Sequence, residues 1–414
     1  MPLEDFKTLK EKNKQRLLYL INVTYSLGIN ITAPSKFKDN LRIISVYLLV
    51  TSIFTLYGHV QAMIRNFGNI SLMSESICLF FQILISFLKL SYMAVFQRRF
   101  FVLLNKVETH ELVNGFELLS METPYNKELR KDAIKILNAS WKFGKIQFYF
   151  YMWACVMIFS YYFVVNMGTN IYNHAVGTAN YTNVVPFSTL YPFWEDKLNQ
   201  YPHFPILVLL TLSGASIAPS VALSFDGIFI YLALHGAALI QILKKAIPLT
   251  TSAKVPKVLR LDYLLQCIRQ YEITYRYCTE VNGLYLHLTL AQFLLSLIIL
   301  GVVMFQGTVG LETDYIVFIR MVLYISAAGY EVVIYCLNGQ AIISESDGIS
   351  NAWYECNWYN ESIEFKQLIR MIIMRSNRTI IMRASWFSTM SLTTLLNIMR
   401  TSGSYFLLLR NLAS

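Results

Sequence analysis

Residues 284–305 read LYLHLTLAQFLLSLIILGVVMF, an uncharged run of 22 mostly apolar side chains. A helix of about 20 apolar residues crosses the roughly 30 Å hydrocarbon core of a bilayer. Five other runs are also long and mostly apolar, at residues 41–60, 70–96, 146–166, 204–234 and 315–337. The sequence therefore predicts an all-α membrane protein with at least six transmembrane helices.

A seventh candidate span, residues 386–409, is apolar at both ends but carries many serine, threonine and asparagine residues between them. Such a helix is costly to leave facing lipid on every side, because its polar groups would lose their hydrogen bonds to water. We therefore predict seven transmembrane helices, the last of which turns a polar face toward water or toward other helices.

The composition of the 414-residue chain agrees with this class. It is 55% hydrophobic and only 14% charged, whereas soluble domains average about 25% charged residues. This excludes most soluble enzymes and nucleic-acid-binding proteins, because too few charges remain to cover a soluble surface. The formal charge of +10 is assigned to loops beside anionic lipid headgroups, so the expected partner is membrane lipid and not nucleic acid.

The basic residues predict the orientation, since Lys and Arg accumulate in cytoplasmic loops. Only Arg65, Lys197 and Arg410 lie in one alternate set of segments between the spans. The other set holds 29 Lys and Arg residues, at 1–42, 98–145, 244–276 and 366–383. We expect residues 1–40 to form a cytoplasmic N-terminal segment and the C-terminus to be extracellular.

The long loop of residues 167–203 contains three prolines and seven aromatic residues. This pattern predicts an irregular extracellular segment, which either covers something below it or forms an aromatic belt at the membrane interface. Asn180, followed by Thr182, is a candidate glycosylation site in this loop.

The helix that follows residues 124–141 is expected to extend into the cytoplasm through that amphipathic stretch.

Motifs typical of enzymes are missing from the sequence. It has no Gly-rich phosphate loop, no H-E-x-x-H and no G-x-S-x-G. The six histidines form no i, i+4 pair, and the six cysteines have no C-x-x-C spacing. We expect no enzymatic activity, no cofactor and no metal site.

Polar residues recur at helical spacing in the seventh span. A stripe of this kind lines a pore when several subunits place equivalent helices around one axis, and its apolar member would then exclude water from the closed pore. Small polar residues also pack helices together in lipid, so this alternative stays open. The stripe comprises Thr394, Asn397, Thr401, Ser404, Leu408 and Asn411.

A ligand cavity is predicted in the outer halves of helices two, three, four and six. The fourth span contains small residues and Pro219, which leave volume and kink the axis. An apolar, aromatic pocket with a few hydroxyls suits a small hydrophobic ligand, although ordinary helix packing produces the same pattern. The predicted lining residues are Phe80, Phe81, Leu84, Met157, Tyr161, Leu207, Thr211, Leu323 and Tyr324.

Among the charged residues inside spans, Lys89, Asp226 and Glu331 lie toward the cytoplasmic ends of their helices. Charges within a membrane are expensive unless they are paired or reach the interface. We expect a structural pairing or a snorkelling arrangement of these side chains.

The C-terminal third of the chain contains three runs in a distinctive order. They are AWYECNWYN at 352–360, IRMIIMRSNR at 369–378 and SYFLLLRNL at 404–412. This order resembles the insect odorant receptor family, with which the first 340 residues agree in topology and length. The shared co-receptor of that family has a much longer loop between helices four and five and a different C-terminal string. The chain therefore resembles an odour-tuning subunit.

The resemblance implies an odorant-gated, non-selective cation channel that forms a heterotetramer with the co-receptor. It implies a small volatile hydrophobic ligand and a location in the plasma membrane of olfactory sensory neuron dendrites. By position, the family's gate falls on Leu408, and its neighbouring pore positions fall on Asn411 and Leu412.

The resemblance also divides the chain. Residues 41–337 would hold transmembrane helices one to six with the odorant pocket, and residues 338–385 the cytoplasmic anchor segment, with its helix at 362–375. Residues 386–414 would hold the pore-lining part of helix seven and a short extracellular tail.

Two other classes remain as alternatives. A G-protein-coupled chemoreceptor also has seven spans, but it predicts an external N-terminus, a cysteine in the loop 167–203 and a proline near the end of helix seven. The sequence has neither the cysteine nor the proline. A transporter is the less favoured alternative, because seven spans do not divide into inverted repeats.

Overall fold

The computed structural model describes residues 2–31, 38–68, 70–121, 123–176, 183–313 and 315–413. Within these residues the backbone is almost entirely helical, with one β-bridge between Arg383 and Thr389. The main helices are α1 (Pro2–Ser26), α2 (Lys38–Arg65), α3 (Ile70–Glu108), α4 (Pro124–Val176), α5 (His203–Val221), α6 (Gly227–Ala246), α7 (Lys257–Thr313), α8 (Tyr315–Asp347), α9 (Ile363–Ser376) and α10 (Leu392–Ala413). Shorter helical turns are Glu111–Asn114, Glu117–Ser120, Pro186–Ser188, Pro192–Lys197, Ala222–Asp226, Ile247–Thr251, Ile349–Tyr354 and Trp358–Asn360.

Six helical stretches of the described chain are long and apolar enough to cross a bilayer. They are α2, α3, α4, the continuous α5 and α6, α7 and α8, which confirms the six plain spans predicted from sequence. Helix α10 has 22 residues and a length of roughly 33 Å at 1.5 Å per residue. It is long enough to be a seventh span, but that count and the orientation of the termini stay predictions.

Helix α10 begins later than the sequence predicted. Residues 386–391 are not helical, and the first helical residue is Leu392. The Ser391 hydroxyl accepts a hydrogen bond from the Thr394 backbone N–H at 3.3 Å, which is the geometry of a helix N-cap. The cap therefore sets the start of the helix, and apolar composition alone placed it six residues too early.

Helices α5 and α6 form one long helix interrupted by a π-helical turn at Ala222–Asp226. Pro219 lies just before this turn, and it has no N–H to donate to the Ala215 carbonyl. Such π turns shift the helical register locally and occur often at functional sites. Here the turn places Asp226 in the interior of the bundle, with no exposed surface.

The N-terminal segment contains a helix that the sequence analysis did not anticipate. Helix α1 buries Leu17 and Leu20 against the bundle. Its Arg16 guanidinium donates to Asn138 of α4 at 3.1 Å. The segment is therefore part of the folded body.

The expected extension of the third span is confirmed as a helix, since α4 runs unbroken for 53 residues from Pro124. Leu129 and Leu137 bury the apolar face of this extension. At its other end α4 continues to Val176, so the irregular loop begins later than predicted. The described part of that loop, residues 183–202, contains two short 3-10 turns.

Candidate ligand cavity and pore helix

A cavity of about 80 Å³ lies among α3, α4, α5 and α8, which correspond to the four helices named by the sequence analysis. Its wall is mostly aliphatic and aromatic. The lining residues are Leu79, Gln82, Ile83, Tyr151, Cys155, Ile158, Phe159, Tyr162, Phe187, Ala215, Ala218, Pro219, Ala222, Tyr324, Ala327, Ala328 and Glu331.

Small side chains create the volume of this cavity. Ala215, Ala218 and Pro219 of α5 face Ala327 and Ala328 of α8 across it. Methyl and ring carbons at these positions leave space that larger aliphatic side chains would fill. The small residues of the fourth span therefore line a cavity, whose role as a ligand site stays a prediction.

The loop between α4 and α5 closes one side of the cavity through Phe187. This side chain is buried, and its ring centroid lies 5.2 Å from that of Phe159 and 5.9 Å from that of Tyr162. Of the two interpretations of the aromatic loop, covering something below it agrees with this contact.

Of the nine predicted pocket residues, only Tyr324 lines this cavity. Its hydroxyl donates to the Cys78 carbonyl of α3 at 3.0 Å, which holds α8 against α3 beside the cavity. On α3 the lining positions are Leu79, Gln82 and Ile83. The predicted Phe80, Phe81 and Leu84 lie one position away and are half-buried.

The remaining predicted residues lie outside the cavity. Leu207 packs with Val185 and Tyr191 in a separate apolar cluster. The Thr211 hydroxyl is buried and donates to the Leu207 carbonyl at 2.9 Å. Leu323 is half-buried beside Tyr324, outside the lining set.

On α4 the prediction is also displaced by about one position. Met157 is 40% exposed on the outside of the bundle, and the Tyr161 hydroxyl donates to the Ile316 carbonyl at 2.8 Å. The cavity is lined instead by Ile158, Phe159 and Tyr162. Sequence periodicity identifies a helix but does not fix its rotation against neighbours that are also apolar.

A charged cluster forms the polar end of the cavity. The Lys89 ammonium lies 2.9 Å from Asp226 Oδ1 and 2.6 Å from Glu331 Oε1, and all three side chains are buried. The Tyr151 hydroxyl donates to Asp226 Oδ2 at 3.1 Å, and the Tyr335 hydroxyl donates to Oδ1. The pairing expected for the three charged residues is confirmed, with a tyrosine from α4 and one from α8 added to it.

Helix α10 exposes the stripe that the sequence singled out. Leu408 is 56% exposed, and its neighbour Leu407 is 55% exposed. Leu412 lies in the last turn of the helix. Four polar members of the stripe are also exposed, namely Asn397, Thr401, Ser404 and Asn411, whereas Thr394 is half-buried.

The opposite face of α10 packs against α7. Ile398 and Ser402 are buried there. Gly301 of α7 permits the close approach, because a Cβ at this position would lie 3.3 Å from the Ser402 carbonyl oxygen. Packing within the chain therefore uses one face of α10 and leaves most of the polar stripe exposed.

Helix α8 connects the cavity to the start of α10. Tyr324 and Glu331 lie along the cavity, and the same helix continues to Gly339 and Gln340. The Gln340 side-chain oxygen accepts from the Leu392 N–H at 3.4 Å. Gly339 lies directly against the Met390 backbone.

Two further expectations concern residues outside this cavity. Among the described residues, no group of three or more His, Cys, Asp or Glu side chains is arranged to hold a metal ion. Asn180, the candidate glycosylation site, lies outside the described residues.

Similarity to known proteins covers almost the whole chain. Residues 69–403 match the family model of the seven-transmembrane (7tm) odorant receptors. Odorant receptor 63a of Drosophila melanogaster is 38% identical over 99% of this chain and 98% of its own length. Odorant receptor 67b of the same insect is 25% identical over 96% of each chain.

The fold also matches a solved structure. The insect olfactory receptor OR5 from Machilis hrabei, in complex with eugenol, superposes with a TM-score of 0.80. The alignment covers 99% of this chain and 100% of that one at 14% sequence identity. The chain is a multi-pass membrane protein that belongs to the insect odorant receptor family, as one of its members other than the co-receptor.

Proposed function

We propose that this chain is the odour-tuning subunit of an odorant-gated, non-selective cation channel that assembles with the shared co-receptor as a heterotetramer. The exposed polar stripe of α10 is the observation that carries the proposal. We infer from the family that the channel acts in the plasma membrane of olfactory sensory neuron dendrites.

The stripe favours a pore because most of its side chains remain exposed in the single chain. Ile398 and Ser402 already provide the face that meets α7. An exposed row of amide and hydroxyl groups in a membrane helix is costly unless it meets water or another subunit. A single helix cannot enclose a channel, so several subunits must contribute equivalent helices around one axis. Leu408 would then form an apolar constriction in a pore that is otherwise lined by hydrated polar side chains.

The cavity favours a small, largely apolar ligand. Its volume of about 80 Å³ is well below the 300–1,000 Å³ typical of sites for drug-sized molecules. Eugenol is the molecule in the OR5 complex. A ligand smaller than eugenol, volatile and hydrophobic, suits the volume and the lining of this cavity.

Helix α8 is the element that we propose to couple ligand to pore. One stretch of it lines the cavity at Tyr324 and Ala328, and a later stretch contacts the residues that lead into α10 at Met390 and Leu392. A ligand that favours one position of α8 would favour one position of α10 by population shift.

Helix α9 is the proposed intersubunit anchor. Ser362 caps its first turn by accepting from the Phe365 N–H at 3.2 Å. Phe365 and Ile369 bury one face in the chain, whereas Met371 and Met374 remain exposed. Exposed methionines suit contact with a second subunit.

The decisive experiment records current during odour application in cells that express the chain with the co-receptor, while G-protein signalling is blocked. A persisting ligand-evoked cation current supports the channel. Loss of the response under the block would favour the G-protein-coupled alternative. In the same cells Tyr324→Ala should lower sensitivity roughly tenfold, because it removes an aromatic contact of about one to two kcal/mol. Met157→Ala, outside the cavity, is the matched control and should leave the dose-response curve unchanged.

A further inference from the structure

The apolar cavity contains two hydrogen-bond acceptors that the protein leaves incompletely used. One is the Glu331 carboxylate, and the other is the side-chain oxygen of Gln82, and both residues line the cavity. Buried hydrogen-bond acceptors normally have a donor. Acceptors that the protein leaves without one therefore indicate which kind of ligand the cavity binds.

The partner carboxylate, Asp226, is fully satisfied by the protein. Lys89 donates to both of its oxygens, at 2.9 and 3.1 Å. Tyr335 donates to Oδ1 and Tyr151 donates to Oδ2. Each oxygen therefore accepts two hydrogen bonds from groups held in place by the bundle, and Asp226 has no need of a further donor.

Glu331 is less well satisfied. Lys89 donates to Oε1 at 2.6 Å, but Oε2 accepts only from Gln82 Nε2, at 3.5 Å, among the described residues. That distance is at the outer limit of a hydrogen bond. The Glu331 side chain lines the cavity, so the remaining lone pairs of Oε2 belong to a residue that a bound ligand would contact.

Gln82 provides the second acceptor. Its Oε1 is buried and finds no hydrogen-bond partner within the described part of the chain. A buried amide oxygen without a donor is unfavourable. The Gln82 amide contacts Glu331 through Nε2, so both acceptors belong to neighbouring side chains of the cavity lining.

The charges agree with the same conclusion. Lys89 supplies one positive charge to two carboxylates, so the cluster carries a net negative charge when all three groups are ionised. A buried net charge is costly, and a donor that lies against Glu331 reduces this cost.

We propose that the preferred ligand of this cavity is a small apolar molecule with one donor group: Gln82 accepts from a hydroxyl, whereas Glu331 together with Gln82 accepts from an ammonium, which has several N–H groups. The inference rests on the proposed function only in taking this cavity as the odorant site. Molecules that only accept hydrogen bonds, such as ethers, and molecules with no polar group would leave both acceptors unpaired.

Binding to the purified full-length chain in detergent tests the proposal directly. The probes are 1-hexanol, hexylamine, methyl pentyl ether and heptane, each with seven heavy atoms, and the corresponding four-carbon series. Apparent affinity comes from the concentration dependence of the melting temperature. We expect 1-hexanol or hexylamine to bind about three- to tenfold more tightly than the ether and heptane, the range of one hydrogen bond.

Two variants identify the acceptors and separate the donors. Gln82→Leu should abolish the advantage of the alcohol over the ether. Glu331→Gln should weaken hexylamine about tenfold or more but change 1-hexanol less than threefold, because the amide oxygen still accepts from a hydroxyl. Gln97→Leu, on α3 outside the cavity lining, is the matched control and should preserve every preference.

Each outcome decides the inference. Equal binding of the four probes, tighter binding of ether or heptane, or no binding at either chain length would overturn it. A donor preference that survives Gln82→Leu and Glu331→Gln would also overturn it. Donor-selective binding without any ligand-evoked current would contradict the proposed channel and leave this inference intact. A ligand-evoked current without donor-selective binding would support the proposed channel and overturn this inference.

Discussion

Lys89 of α3 and Asp226 of the π-helical turn are joined by a buried ion pair, with 2.9 Å between the ammonium and Oδ1. The same ammonium contacts Glu331 of α8 at 2.6 Å. Three helical elements therefore meet at one cation. Removing it should leave two carboxylates unpaired in the interior, which typically costs about 3–5 kcal/mol.

We predict that Lys89→Met strongly destabilises the chain, measured as a lower melting temperature in detergent. Lys106→Met is the control, because Lys106 pairs with the exposed Glu280 near the surface and such pairs are worth about 0–1 kcal/mol. Adding Asp226→Asn and Glu331→Gln to Lys89→Met should recover part of the loss, since no buried charge then lacks a partner. An unaltered melting temperature in Lys89→Met would show that the cluster is not structural.

The sequence predicted this cluster better than it predicted the cavity. An unpaired charge inside an apolar span is costly, and this cost alone predicts that Lys89, Asp226 and Glu331 pair with one another. The rotation of a helix cannot be obtained in that way, because Phe80 and Leu79 are equally apolar and either fits a buried face. The start of α10 was missed because hydropathy does not register the Ser391 cap.

The second prediction concerns Gly339, where α8 meets the segment before α10. A Cβ there would lie 2.6 Å from the Met390 Cβ and would overlap its carbonyl oxygen. We expect Gly339→Ala to displace this segment, lower stability by about 1–3 kcal/mol and reduce the maximal ligand-evoked current. Gly329→Ala on the same helix is the control, since its Cβ would make an ordinary 3.9 Å contact with Leu300. Normal currents in Gly339→Ala would remove this contact from the coupling path.

The third prediction is a pH dependence of stability centred on His110, in the turn after α3. Burial and the nearby Arg16 lower the pKa of His110 to about 4. The folded chain therefore keeps the imidazole neutral, whereas the unfolded chain protonates it below its ordinary pKa of about 6.5. Stability should fall as the pH decreases from about 6.5 toward 4, by about 2 kcal/mol between pH 7 and pH 5.

His110→Asn is the variant that tests this dependence. The φ angle of His110 is +49°, and asparagine tolerates this left-handed conformation better than most residues. Melting temperatures between pH 7 and pH 5 should change less in the variant than in the wild type, by the share that His110 contributes. The buried His235, whose ring centroid lies 5.9 Å from that of His110, remains in both proteins. A loss of the same size in both would assign the pH effect to other groups.

The fourth prediction reports orientation through glycosylation. Asn180 belongs to the loop expected outside, whereas Asn22 is exposed on α1, which is expected in the cytoplasm. Only lumenal sites are modified, so any glycan should map to Asn180 and never to Asn22 or Asn30. Mass spectrometry of the protein, with Asn180→Gln as the control, measures this. A glycan on Asn22 would invert the topology and favour the G-protein-coupled alternative.

The fifth prediction concerns the gate. In the single chain Leu407 and Leu408 are almost equally exposed, so exposure does not distinguish them. Their side chains point about 100° apart around α10. Only Leu408 lies on the stripe with Asn397, Thr401 and Ser404, so in a symmetric assembly it should face the pore axis.

We expect Leu408→Ser, expressed with the co-receptor, to raise the resting cation current, because a small hydroxyl wets an apolar constriction. Leu407→Ser should leak much less at equal surface expression. Ligand potency should shift only as far as the open state becomes easier to reach. Co-receptor subunits keep their own side chains at this level, so the leak is partial in the mixed tetramer. Equal leak from both variants, or none from Leu408→Ser, would return α10 to a packing role.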